Sequence, residues 1–189
     1  MDPVDTKTRL IRAMLSLLQR KGLHGAGLNE LLAEAGAPKG VLYHHFPGGK
    51  TALAVAAIEM AAAGMAEQLE QQLAGGDPAA VLRAWLDQAE QRLAASDYAS
   101  GCPLATVALE STPADSALRA ALSAAFATLR TRIAAGLTRA GVAPAQADGL
   151  AALLIAAYEG GLLQARVAQN PEPMRLISAS LSTLLPPTR

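Results

Sequence analysis

The segment "GLHGAGLNELLAEAGAPKGVLYHHFPGGKTAL", residues 22–53, decides how the rest of the chain is read. Its second part, "AGAPKGVLYHHFPGGKTAL" (35–53), holds one of the three tyrosines and one of the two phenylalanines. The surrounding chain is mostly alanine and leucine. "LNELLAEAG" places Leu28, Leu31 and Leu32 at helical spacing and stops at Gly36 after little more than two turns. Pro38 suits the first turn of a second short helix, where a missing N–H has no intrahelical partner. Pro47, Gly48 and Gly49 end that helix, and a longer one starts at Lys50 or Thr51. Two short helices joined by a tight turn at "AGAP" have the dimensions of a helix-turn-helix, whose second helix can lie in the major groove of DNA. An ordinary helical hairpin has the same outline, so spacing alone leaves both readings open.

Upstream, a helix starts near Asp5 or Thr6, either of which can act as N-cap. Leu10, Ile11, Met14, Leu17 and Leu18 share one face, and Gly22 is a natural stop. Downstream, the helix from Lys50 or Thr51 runs to about Leu73, before the pair Gly75-Gly76. Asp77 and Pro78 then open a helix with the stripe Val81, Leu82, Trp85, Leu86, Ala89 and Leu93. Gly101 and Pro103 leave room for one short helix. A long helix follows over about 113–140, and another over about 144–169. The latter is apolar almost all round between Leu150 and Tyr158, which calls for burial on more than one side. A last helix, "MRLISASLSTLL", precedes Pro186-Pro187. The expected fold is all-α with about nine helices. An N-terminal three-helix module over 1–50 leads into a larger helical domain over 51–189.

Composition narrows the function classes. A hydrophobic fraction of 51% against 17% charged excludes disorder over most of the length. The dominance of alanine and leucine favours helix over strand. No apolar run reaches about 18 residues without interruption, so no membrane partner is expected. The start "MDPVDTKTRLIR" has no apolar core of a signal peptide, which points to a cytoplasmic protein. A single cysteine, Cys102, excludes an intrachain disulfide and a cysteine-rich metal site. Residues 1–50 carry seven Lys/Arg against four Asp/Glu, although the whole chain is neutral. That imbalance suits a small module meeting a polyanion, and a solvated surface gives it as often.

The segment 22–53, extended back to the first helix near Thr6, resembles the DNA-binding module of TetR-family transcriptional regulators. The helix pair, the "LYHHF" run and the lysine at the next helix start carry the likeness. "PGGK" (47–50) and "ASGCPLATVALE" (99–110) resemble the LmrA/YxaF-like subgroup. The resemblance implies a regulator rather than an enzyme. It implies a homodimer that binds double-stranded DNA and a C-terminal domain that binds a small-molecule effector and pairs the subunits. The scarcity of charges points to a neutral, apolar or aromatic effector, and the subgroup likeness points the same way; the family resemblance implies a repressor at a palindromic operator.

Individual residues can be placed within that scheme. In the second short helix Val41, Leu42 and Phe46 are expected to pack, leaving Lys39, Gly40, Tyr43 and His44 toward DNA. Gly40 permits close backbone approach at a helix-propensity cost of about 1 kcal/mol. Lys39 can reach phosphate or a guanine edge, and Tyr43 a phosphate or a thymine methyl. Lys50, at a helix N-terminus, suits a phosphate clamp. Thr6 and Arg9 are flanking phosphate contacts, and Asn29 either caps its helix or meets the DNA backbone. His44 and His45 point about 100° apart on a helix and have no acidic or cysteine partner at ligand spacing, so neither a metal nor a cofactor is expected. His45 packs or caps, and His24 belongs to a loop.

In the larger domain the candidate effector contacts are Met60, Met65, Trp85, Tyr98, Cys102, Leu104, Phe126 and Tyr158, although plain core is the better reading at any one of them. Leu153, Ala157, Gly160, Gly161, Val167, Leu176, Leu181 and Leu184 are the candidate dimer surface. Cys102 offers a second function class, a small helical redox sensor or enzyme. That role needs a lowered thiol pKa, and a buried structural thiol explains the residue as well.

Overall fold

The structure is a computed structural model that describes residues 5–74 and 77–184, with side chains described to residue 181. The pairs Gly75-Gly76 and Pro186-Pro187 and the side chain of Leu184 therefore lie outside the described residues. Among the described residues there are nine helices and no strand. They are α1 (Thr6–Gly25), α2 (Leu28–Ala35), α3 (Lys39–His45), α4 (Gly49–Leu73) and α5 (Pro78–Ala95), then α6 (Pro103–Glu110), α7 (Ser116–Arg139), α8 (Pro144–Ala168) and α9 (Glu172–Leu184). The chain forms two compact units, one from Met1–Ala62 with Pro103–Ala125, the other from Ala63–Cys102 with Phe126–Arg189.

In the first unit, α1 packs against α2, α3 and α6. The Asp5 side chain caps α1 by accepting the Thr8 N–H at 3.0 Å, which settles the N-cap on Asp5. This bond lowers the Asp5 carboxyl pKa below its ordinary value. Leu10, Met14, Leu17 and Leu18 of α1 are fully buried, as are Leu31 of α2 and Leu42 of α3. Truncating a side chain such as Leu42 to alanine costs roughly 2–5 kcal/mol.

The regular part of α1 stops at Gly22, whose φ of 72° and ψ of −176° are non-helical, and a short further turn runs on to Gly25. Two local expectations are corrected. Asn29 does not cap α2; Gly27 holds that position without a side-chain bond, and Asn29 lies in the exposed first turn. Pro38 stands one residue before α3, as its N-cap.

In the second unit, α5, α8 and α9 pack on one another. Asp77 caps α5 through the N–H groups of Ala79 and Ala80, with Pro78 in the first turn. The stripe Leu82, Trp85, Leu86, Ala89 and Leu93 is buried, while Val81 is half-buried. By length and mean hydropathy α4 and α8 could each cross a membrane, although neither holds an uninterrupted apolar run. In α8, however, Ala151, Leu154, Tyr158, Leu162 and Ala165 form one buried stripe, the pattern of a core helix. The burial on more than one side expected of this helix is not met within one chain, because Leu153 and Ala156 are exposed.

Candidate nucleic-acid interface

The helix pair is held rigidly by its ends. Gly36 caps α2 with φ 57° and ψ 40°, a left-handed conformation that L side chains rarely adopt. Ala37 then donates its N–H back to the Leu32 carbonyl at 3.0 Å. Two ion pairs, Arg20–Glu34 and Lys21–Glu30, both at 2.7 Å, tie α2 to α1. Each is solvent-exposed, so its energetic share is below about 1 kcal/mol and its main effect is orientation.

Helix α3 divides as the sequence suggests. Leu42 is fully buried, Phe46 just after the helix is buried, and Val41 is half-buried. The Lys7 ammonium lies 6.0 Å from the centre of the Phe46 ring. On the other side Lys39, Gly40, Tyr43 and His44 are exposed, with Tyr43 47% exposed. A Cβ built on Gly40 meets nothing within 4 Å, so the glycine faces open space rather than a packed neighbour. His45 is half-buried and its ring meets that of His44 edge-on at 5.1 Å.

The turn after α3 explains "PGG". Gly49 has φ +63°, and its N–H bonds to the Phe46 carbonyl at 2.8 Å. A Cβ at Gly49 would stand 3.4 Å from Cε1 of Tyr43. The left-handed glycine thus lets α4 begin one residue earlier than expected, with its Cα side bordering Tyr43. Lys50 follows in the first turn of α4. Desolvation lowers its pKa from the ordinary lysine value, and the Glu110 carboxylate opposes that shift. A partly desolvated ammonium beside free helix N–H groups is suited to an anion. Arg9, exposed on the first turn of α1, donates to Thr6 Oγ1 at 3.1 Å, so these two flanking residues act as a pair.

The proposed effector contacts fall in both units. Met60 and Leu104 belong to the first, and Met65, Trp85, Tyr98, Cys102, Phe126 and Tyr158 to the second. Trp85 and Tyr158 stack with ring centres 4.2 Å apart. Trp85, Cys102, Leu104 and Tyr158 are buried, whereas Met60, Met65, Tyr98 and Phe126 are half-buried. Burial raises the Tyr158 pKa, with Cys102 and Glu159 adding to it and Arg92 opposing it. A surface groove of about 800 Å³ along Ala63, Ala66, Glu67 and Glu70 of α4 and Thr128 and Arg132 of α7 is lined by none of these eight residues.

Sequence reasoning passed over Glu159. It is half-buried, and its carboxyl pKa is raised to about 7 by desolvation, partly offset by a hydrogen bond from Cys102. Its Oε2 atom is buried without a hydrogen-bond partner. The available signal was a lone carboxylate at the end of the apolar run of α8. Glu110 was missed as well. Its Oε2 accepts the N–H of Leu23 at 2.6 Å and of His24 at 3.1 Å. His24, expected in a loop, is the last-turn residue of α1.

Of the candidate dimer residues, Leu153, Val167 and Leu176 are exposed, with Val167 79% exposed. Gly160 has open space around a built Cβ. Gly161 instead lies against Met174 and Ile177 of α9, and Leu181 is buried. Ala157 is half-buried.

Comparison with known proteins agrees with this geometry. Residues 10–57 match the bacterial regulatory proteins of the tetR family, and residues 78–180 match the C-terminal domain of LmrA/YxaF-like transcriptional regulators. The HTH-type transcriptional regulator LmrA of Bacillus subtilis is 31% identical over 96% of this chain and 97% of its own length. A TetR regulatory protein from Rhodobacter sphaeroides superposes with a TM-score of 0.80 at 29% identity, covering 93% of this chain and 96% of that one. The reduced form of NemR from E. coli does so with 0.81 at 25% identity, covering 98% of each. With both its DNA-binding module and its C-terminal domain matched, the chain belongs to the TetR family of transcriptional regulators and carries an LmrA/YxaF-like C-terminal domain.

Proposed function

We propose that this regulator is a cytoplasmic homodimeric repressor that binds a palindromic operator and is released by a small apolar or aromatic effector. The carrying observation is the exposed face of α3, where Lys39, Gly40, Tyr43 and His44 stand clear of the packed Leu42 and Phe46. Residues 1–50 read DNA in this scheme, with Thr6, Arg9, Asn29 and Lys50 on phosphates. Residues 51–189 pair the subunits and hold the effector. Phosphate contacts fix the register, and the α3 side chains supply the choice of bases.

The apolar stripe on α8 supports dimerisation. Leu153, Ala156, Gly160, Leu163 and Val167 recur at helical spacing on one open face, and exposed Leu176 lies on α9. A two-fold axis there would bury what one chain leaves in water, and it would present two α3 helices to half-sites about one DNA turn apart. The stacked Trp85 and Tyr158 support an aromatic effector. Such an effector weakens DNA binding only as far as it favours a conformation with a different α3 spacing. Cys102 is read as structural, because it is buried and adjoins a carboxyl, whereas an oxidant-sensing thiol is accessible.

The test is selection from a random-sequence duplex pool, followed by thermal-shift screening of apolar compounds and measurement of DNA release. A palindromic consensus bound by a dimer and released by a hit supports the proposal. No enrichment of any sequence refutes it.

A further inference from the structure

The kink in α1 carries an inference that rests on the DNA-binding reading above. Gly22 has φ 72° and ψ −176°, a combination essentially restricted to glycine. It turns the Gly22–Leu23 peptide out of the helical direction. The Glu110 carboxylate, at the end of α6, fills the space this opens. Its Oε2 accepts the N–H of Leu23 at 2.6 Å and of His24 at 3.1 Å. The fit is close enough that a Cβ on Gly22 would stand 1.9 Å from Glu110 Oε1. A side chain at residue 22 would therefore be strained by the backbone conformation and would push the carboxylate off its two N–H partners.

The position of this clasp gives it consequence. Leu23 and His24 form the last turn of α1, and only Ala26 and Gly27 separate that helix from α2. Leu23 and Ala26 are both buried, so the exit from α1 is packed as well as bonded. The same carboxylate acts electrostatically on Lys50 at the start of α4. One side chain of α6 thus bonds the end of α1 and acts electrostatically on the lysine that the proposed function places on phosphate. The length of the Glu110 side chain, which a glutamine shares and an aspartate lacks, sets where the Leu23 and His24 N–H groups are held.

We propose that Glu110 is a positioning residue for sequence-specific DNA binding: its two bonds to the Leu23 and His24 N–H groups fix the exit of α1 and, through it, the placement of α2 and α3. It touches no DNA. Its loss lowers the preference for the correct sequence more than the affinity for DNA in general.

The experiment compares wild type, Glu110→Ala, Glu110→Asp and Glu110→Gln. Each is titrated against the duplex that wild type selects from a random pool and against a random-sequence duplex of equal length, at one salt concentration. Glu110→Asp keeps the charge but shortens the reach by one methylene. Glu110→Gln drops the charge but keeps an acceptor at the same distance. The expected result is a loss of about ten-fold on the selected duplex for Ala and Asp, little change on the random duplex, and Gln close to wild type. The Leu23 amide proton should resonate downfield in wild type and Gln and move upfield in Ala and Asp. An unchanged ratio between the two duplexes in Ala and Asp overturns the proposal. So does a pattern in which Asp follows wild type and Gln follows Ala, because the charge on Lys50 would then be the cause. Should Ala fail to fold, the Asp–Gln contrast still decides. If wild type itself selects no duplex, the DNA-binding reading has failed, a result distinct from either.

Discussion

Tyr43 Cε1 lies 3.4 Å from the point where a Cβ on Gly49 would stand, so the residue that starts α4 borders the exposed face of α3. Gly49 is also at φ +63°, where an L side chain costs about 1–2 kcal/mol. Gly49→Ala is therefore expected to lower stability by about that amount. The methyl group would rest in ordinary van der Waals contact with Tyr43, so affinity for the selected duplex should change little. Thermal denaturation and DNA titration of the same variant check both parts. A variant as stable as wild type would show that the turn relaxes freely.

Gly40 makes the opposite prediction for stability. It sits in the first turn of α3 and a Cβ there meets nothing within 4 Å. Gly40→Ala should raise stability by up to about 1 kcal/mol through helix propensity and a smaller loss of backbone entropy. The new methyl group would nonetheless face the DNA, so affinity for the selected duplex should fall. A thermal midpoint that rises while DNA affinity drops is the signature. If both rise, the α3 face does not approach DNA at this residue.

Lys50 is expected to act on phosphate and hence without regard to sequence. Lys50→Ala should weaken selected and random duplexes by similar factors. It should also reduce the slope of log affinity against log salt by about one. Titrations at four or five salt concentrations measure this. A change confined to the selected duplex would place Lys50 at a base edge instead.

What the sequence made legible was local. Gly36 and Pro38 mark the turn between the short helices, Asp77-Pro78 marks the start of α5, and the spacing of Leu42 and Phe46 sorts the two faces of α3. What it hid was long-range. Gly22 looks like a stop from its own neighbourhood, and only Glu110, 87 residues from Leu23, shows why the helix kinks and resumes. Glu159 and Cys102 likewise meet across α6 and α7 in the chain order, a pairing no periodicity encodes. Asn29 failed as a cap for a local reason, because α2 starts at Leu28 and so places Asn29 inside the first turn.

The α8 stripe gives a prediction about assembly. Val167 and Leu176 are 79% and 62% exposed in a single chain, so a charge at either should leave the fold of one subunit intact. Val167→Glu and Leu176→Glu are expected to shift the protein from dimer to monomer in sedimentation and to weaken operator binding. Their circular dichroism should stay that of wild type. If these variants sediment as wild-type dimers, pairing uses another surface. A monomeric wild type would remove the dimer itself.

Glu159 makes stability depend on pH near neutrality. Desolvation raises its carboxyl pKa from the ordinary 4.5 to about 7, and Oε2 has no compensating partner. The folded state therefore keeps its proton over a range where the unfolded chain has lost it. Stability from this group is fully present below about pH 4.5, declines as pH rises toward 7, and is gone above that. The full difference corresponds to roughly 3 kcal/mol. Glu159→Gln places an uncharged group of the same shape in the site and removes the titration. Its thermal midpoint should vary less than that of wild type between about pH 4.5 and 7, and should exceed it at the alkaline end of that window. Parallel profiles for the two proteins would mean that Glu159 ionises with an ordinary pKa and that water reaches its buried oxygen. A flattened profile would establish a carboxyl that stays mostly neutral up to about pH 7 beside the Cys102 thiol. That state can both donate and accept hydrogen bonds, and it carries no charge to repel an apolar effector.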